Sequence, residues 1–168
     1  MDKVNAMHRA PTTFNSPLEA GIRAVSILGA AYPQIYDLQR LVAFDYLLVH
    51  TADVGGPKSL HPPTPMQSAA LLVRRKLVEQ ALLLMMTRDL VHREITPDGI
   101  KYSAGENAMT FLTSLTSSYL VALKERADWL VEEFGSHSDD AFKGVMRRFF
   151  DDWVEEFQNT EQSLGGES

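Results

Sequence analysis

The chain has 168 residues, 45% apolar and 23% charged, enough for one folded core and too little for two. No apolar run approaches the roughly 18 residues that span a bilayer, the first residues lack the hydrophobic stretch of a secretory signal, and cysteine is absent. These features exclude disulfide scaffolds, thiolate-bound zinc, iron–sulfur clusters and thiol catalysis, and they lead us to expect a cytoplasmic protein without a membrane anchor. The net charge of -6 is unevenly spread: residues 132–168 hold ten acids against three bases, residues 1–131 twelve against thirteen. An acidic whole does not suit a free-standing nucleic-acid binder. Its acidic end suits a solvated face, or less often a surface that steers a basic partner.

Residues 1–13 show no periodicity and are expected to form a flexible arm. A first helix is announced by Ser16 as cap, Pro17 at the first helical position and Glu19 three residues after the cap. Leu18, Ile22, Val25, Ile27 and Leu28 recur at three and four, predicting one buried face as far as Ala31, and Tyr32-Pro33 ends the helix. A second helix is expected from Asp37 to His50, with Leu38, Leu41, Val42, Tyr46 and Val49 as its stripe and Phe44, Leu47 and Leu48 widening it. Residues 51–65 contain four prolines and two glycines, which predicts a long loop rather than helix or central strand. The third helix, Met66 to Arg88, ends in Ala81-Leu82-Leu83-Leu84-Met85-Met86, a run that calls for burial on every side, by this chain or by a partner.

Leu90–Ile95 and Ile100–Ser103 are β-favouring runs on either side of Thr96-Pro97-Asp98-Gly99, which fits a type I turn closed by a glycine bulge. Three helices followed by a two-stranded hairpin is the order of a winged helix-turn-helix. Two helices then carry the chain from Ala104 to Phe134, broken near Thr116-Ser117, with Leu112, Leu115, Tyr119, Leu123, Ala127, Leu130 and Phe134 as a core stripe. A last helix is expected from Asp139 to Gln158, capped by Ser138. It sets Phe142, Val145, Met146, Phe149, Trp153 and Phe157 on one side and Asp151, Asp152, Glu155 and Glu156 on the other. The expected fold is therefore mainly α, a winged-helix-like core of three helices plus a β-hairpin with additional C-terminal helices. Its expected divisions are a flexible arm (1–13), a winged-helix-like helical domain (14–134), an acidic amphipathic C-terminal helix (135–158) and a disordered tail (159–168).

Catalytic chemistry finds little support. His50, Asp53 and His61 lie close in sequence, but two histidines and an aspartate on a proline-rich loop lack both helical ligand spacing and a fourth ligand. Gly55-Gly56 runs into Pro57 and has no lysine-serine sequel, so there is no phosphate loop, and no serine stands in a nucleophile elbow. No catalytic residue, metal ligand or cofactor is therefore expected. Arg74, Arg75 and Lys76, joined by Lys101 and Arg93 in the wing, are the candidates for nucleic-acid contact, although one arginine among Leu72, Val73, Leu77 and Val78 suits a partly buried ion pair. Phe142, Phe149, Trp153 and Phe157 are the candidates for docking a partner in helix-in-groove fashion, with core packing as the plainer alternative.

Several stretches together resemble a known family. Phe14-Asn15-Ser16-Pro17-Leu18-Glu19-Ala20-Gly21, Asp37-Leu38-Gln39-Arg40-Leu41-Val42, Asp45-Tyr46-Leu47-Leu48-Val49-His50, Gly56-Pro57 through Ser59-Leu60-His61-Pro62, Leu72-Val73-Arg74-Arg75 and the turn ending Gly99-Ile100 resemble the middle component of ABC three-component systems. The likeness covers residues 13–134 in order and leaves the acidic last helix unplaced. It implies a bacterial antiphage or anti-plasmid defence complex of the Lamassu type. In such a complex an SMC-like ABC ATPase senses foreign nucleic acid and an effector, typically a nuclease, does the damage. A small non-catalytic adaptor such as this would link the two and meet DNA mainly through the complex. The family offers no catalytic residue to carry over. A winged-helix transcriptional regulator binding DNA as a dimer is the alternative.

Overall fold

A computed structural model describes residues 16–63 and 68–149. Helix α1 (Pro17–Ala31) begins as its capping pattern predicts: Ser16 is extended, and its Oγ accepts the Glu19 N–H at 3.2 Å. The expected single buried face is too narrow, however. Leu18 is exposed, while Ala20, Gly21 and Arg23 through Leu28 are buried around the whole circumference. The cause is position. This helix lies at the centre of the fold, against the four helices that follow it in the chain and one strand of the hairpin. Small residues at Ala20, Gly21 and Ala24 let neighbours approach; a methyl group on Gly21 would collide with the Met85 side chain.

Helix α2 (Leu38–Val49) is capped by Asp37, whose carboxylate accepts the Arg40 N–H at 2.8 Å, and every residue from Arg40 to Val49 is buried. The loop after it opens with a 3-10 turn (Thr51–Val54), a short helical element that the proline and glycine content did not predict. Its described part is pinned: Thr51 Oγ1 donates to the Pro57 carbonyl at 2.7 Å, and the Leu60 and His61 N–H groups both donate to Val49 O at 3.1 Å. Helix α3 (Ser68–Met86) buries Val78, Ala81, Leu82 and Met85 but leaves Leu83 56% exposed, with Leu72 and Val73 also open to solvent. The chain itself therefore buries only one side of this apolar end, where α1, α2 and strand β1 pack; coverage of the Leu83 side falls to the other alternative, a partner.

The hairpin forms as predicted. Strand β1 (Val91–Thr96) pairs antiparallel with β2 (Gly99–Ala104), from Val91↔Ala104 to Thr96↔Gly99 at the turn. Gly99 has φ +116°, which a side chain would strain, and Thr96 Oγ1 donates to its carbonyl at 2.8 Å. The free flank of β2 is occupied by Tyr36, which exchanges two backbone bonds with Tyr102 (3.0 and 2.7 Å) and ties the hairpin to the start of α2. At the turn end, Ile95 is 85% exposed.

Helices α4 (Ala108–Ser114) and α5 (Ser118–Phe134) are broken where expected, with Ser117 accepting the Leu120 N–H at 3.3 Å. Leu112, Leu123, Ala127, Leu130 and Phe134 are buried and Leu115 half-buried, whereas Tyr119 stays 38% exposed. Helix α6 (Asp139–Phe149) is capped by Ser138, whose Oγ accepts the Ala141 N–H at 3.2 Å. Its Phe142 and Met146 are only 5% exposed and belong to the same core as α1, α2 and α5. Among the described residues the fold is mainly helical, six α-helices with one two-stranded hairpin. The arm at 1–13, the end of the long loop at 64–67, the carboxylate row Asp151, Asp152, Glu155 and Glu156, and the tail at 159–168 lie outside the described residues.

Candidate functional site

Polar chemistry concentrates where α1, α2, α3 and the long loop meet. Asp45, in the middle of α2 and 2% exposed, takes Arg23 Nε of α1 at 2.7 Å and Arg23 Nη2 at 3.4 Å, and it also accepts from Arg74 of α3. Burial alone would raise the Asp45 carboxyl; the two guanidinium groups outweigh it and hold the group below its ordinary value. Arg23, buried as deeply, is pulled down by burial and lifted more strongly by Asp45, so it is more firmly cationic than usual. Arg74 lies 5.3 Å from the Tyr46 ring centre, a cation–π contact. One carboxylate thus ties three helices together.

Beside this triad, Tyr46 packs against His50 at 4.3 Å, and its hydroxyl donates to Asp53 Oδ2 at 3.2 Å. Burial, then Asp53, push the Tyr46 phenol up to about 12. The His61 ring meets that of His50 edge-on at 6.3 Å, stacks on Tyr119, and has Nε2 2.8 Å from the Tyr119 hydroxyl. Burial, with the nearby positive charge of Arg23, lowers His61 to about 4, and burial lowers His50 as well. His50, Asp53 and His61 are therefore brought together, but as two neutral rings and a phenol-bonded carboxylate. Among the described residues no group of three His, Asp or Glu is placed to hold a metal ion. Two buried polar atoms, His50 Nδ1 and Glu19 Oε2, have no hydrogen-bond partner among the described residues.

The basic candidates are divided by this arrangement. Arg74 is turned inward onto Asp45, the ion pair that its apolar flanks suggested. Arg75 reaches Glu79 one turn on, at 3.8 Å, and Lys76 is exposed. Lys101 stands on β2 opposite Glu94, bordering a different groove. Arg23 and Asp45 were missed in the sequence, although opposite charges buried in otherwise apolar runs (Ile22–Ala24, Phe44–Tyr46) were a signal that could have found them.

Phe142 is buried. In the chain by itself it takes the core-packing alternative: its ring sits edge-on to Phe44 at 5.2 Å and to Phe134 at 6.5 Å, with the Arg40 guanidinium 4.3 Å from its centre. Arg40 also donates to the His137 carbonyl at 2.8 Å and to Asp139 Oδ1 at 3.2 Å, clamping the turn before α6. That ring is core because it packs against Phe44 of α2 and Phe134 of α5 within the buried cluster. The side chains of Phe149, Trp153 and Phe157 lie outside the described residues.

The polar interior of this helical body ties its own helices together. Residues 13–156 match the family model described as ABC-three component (ABC-3C) system Middle Component 2, and the chain belongs to that family. The match continues through α6, beyond the limit at residue 134 that the quoted stretches suggested. Searches of the curated proteins and of the solved structures find no match. No helix among the described residues is long and apolar enough to cross a membrane.

Proposed function

We propose that this chain is the non-catalytic adaptor of its ABC three-component system, linking an SMC-like ABC ATPase to an effector in a defence complex of the Lamassu type. The observation that carries this reading is the family match over residues 13–156, to a class of middle components. The interior supports it. Arg23, Asp45 and Arg74 are engaged with one another, and Tyr46, Asp53, His61 and Tyr119 make hydrogen bonds within the chain. On this reading DNA is met mainly through the assembled complex, and Arg75, Lys76 and Lys101 contribute little by themselves.

The test is co-expression with the components encoded beside this chain. An adaptor retains both the ATPase and the effector through purification, and removing it separates them. It binds duplex DNA alone no better than a generic acidic protein, whereas a winged-helix regulator binds it alone with an affinity that falls steeply as salt rises. Full association of ATPase and effector in its absence would defeat the adaptor reading.

A further inference from the structure

A groove of about 770 Å³ runs between the Tyr32–Ile35 segment, one face of the hairpin and the start of α4. Three large apolar side chains line it while remaining open to solvent: Tyr32 (67% exposed), Met109 (60%) and Ile35. None of them belongs to the buried core or to the partly buried side chains packed against it. The three stand together in one groove rather than scattered singly over the surface, and polar residues rim them. Its lining is mainly acidic: it carries Asp89, Glu94 and Glu106 and no lysine or arginine, with His92 3.9 Å from Glu94 and Lys101 across the strand pair from Glu94 on the adjoining groove.

The walls are held firmly. Asp89 keeps a left-handed backbone (φ +57°) at the end of α3, with its carbonyl accepting the Asn107 N–H at 3.0 Å. Gly105 N–H donates to Leu90 O at 3.0 Å, and any side chain on Gly105 would strike the Asp89 carbonyl. On the far side Tyr36 and Tyr102 fix the hairpin against the chain before α2. A partner therefore meets a preformed surface and orders little on binding.

We infer that this groove is a docking site for a partner segment that combines apolar side chains with lysine or arginine. The apolar residues cover Tyr32, Ile35 and Met109, and the cations face Asp89, Glu94 and Glu106. Charge complementarity selects that occupant over an acidic segment or a second copy of this acidic chain. The inference rests on the adaptor reading only for the partner's origin, in one of the other components of the system.

Two experiments separate the claims. In the first, a short fluorescein-labelled peptide alternating leucine and lysine, and its leucine–glutamate counterpart, are titrated against the purified full chain by anisotropy. The basic peptide should bind at least about tenfold more tightly, and Glu94→Gln and Glu106→Gln should each weaken it about threefold. Met109→Ser should weaken it further, and Leu83→Ser on α3, outside the groove, should leave it unchanged. Equal binding of the two peptides, groove variants that bind like wild type, or a change of oligomeric state on Met109→Ser would overturn the inference. In the second, p-benzoylphenylalanine placed at Tyr32 is photoactivated in the complex co-expressed with the neighbouring components. A crosslink to a basic, apolar segment of one component supports the site; a crosslink to an acidic segment or to a second copy overturns it. Should the components fail to associate with the wild-type chain, the adaptor reading fails, while the peptide titration still decides the groove.

Discussion

Replacing Asp45 with asparagine is the sharpest test of how this interior is held together. The substitution keeps shape and volume but removes the charge that faces Arg23 Nε at 2.7 Å and Arg74 beside it. Arg74 is 21% exposed and can turn toward water; Arg23, at 4%, cannot. Removing one partner of a buried pair costs about 3–5 kcal/mol, because an uncompensated charge is left behind. Nearly all of that falls on Arg23 here, so the expected loss is about 3–4 kcal/mol, a large share of the roughly 5–15 kcal/mol by which domains are stable. For a chain of this size the melting midpoint should fall by about 10 °C, read by circular dichroism at neutral pH. The folded-state pKa of Asp45 lies below its reference value of 3.8. The carboxylate's contribution is therefore complete above that reference and is lost as pH falls through the depressed folded value, so wild type and variant should converge in acid. A double variant, Arg23→Met with Asp45→Leu, should recover most of the loss, since well-packed apolar residues replace a buried pair at little cost. An Asp45→Asn midpoint within about 2 °C of wild type at neutral pH would refute this account of the triad.

His61, lowered to about 4 from a reference of 6.5, is neutral when folded and protonated when unfolded between those values. Stability should decline as pH drops from 6.5 to 4, by about 1–2 kcal/mol because solvent screens this partly exposed ring, and His61→Phe should flatten that slope in urea titrations; an unchanged slope would show that the ring does not titrate differently on folding. Phe142→Ala should cost about 3–5 kcal/mol and deletion of residues 139–168 should unfold the domain, both measured by circular dichroism, whereas an intact fold on deletion would return α6 to the role of a docking element. Gly99→Val, placed at φ +116°, should destabilise by about 1–2 kcal/mol through backbone strain, and an unchanged midpoint would contradict the turn geometry.

Local chemistry was legible in the chain itself. The Ser16 and Ser138 caps, the stop at Tyr32-Pro33, the helix start near Asp37, the turn at Thr96–Gly99 and the break before α5 each depend on a few adjacent residues. Backbone hydrogen bonding and φ preferences act over that range, so sequence alone determined them. Which side of each helix is covered was decided elsewhere. The apolar end of α3 looked the same all round, yet Leu83 faces solvent and Met85 the core, because only the placement of α1, α2 and the hairpin distinguishes them. The stripe on α6 was equally ambiguous: an amphipathic face records that something covers it, not whether that something is Phe44 and Phe134 of the same chain or another protein. Arg23, Asp45 and Arg74 lie 22 and 29 residues apart. Their attraction exists only once three helices have been packed around them, and burial then makes it strong enough to shift their proton affinities. Tertiary structure likewise assembled the groove of Tyr32, Ile35 and Met109 from segments whose exposure no periodicity could report, since burial is a property of neighbours distant in the chain.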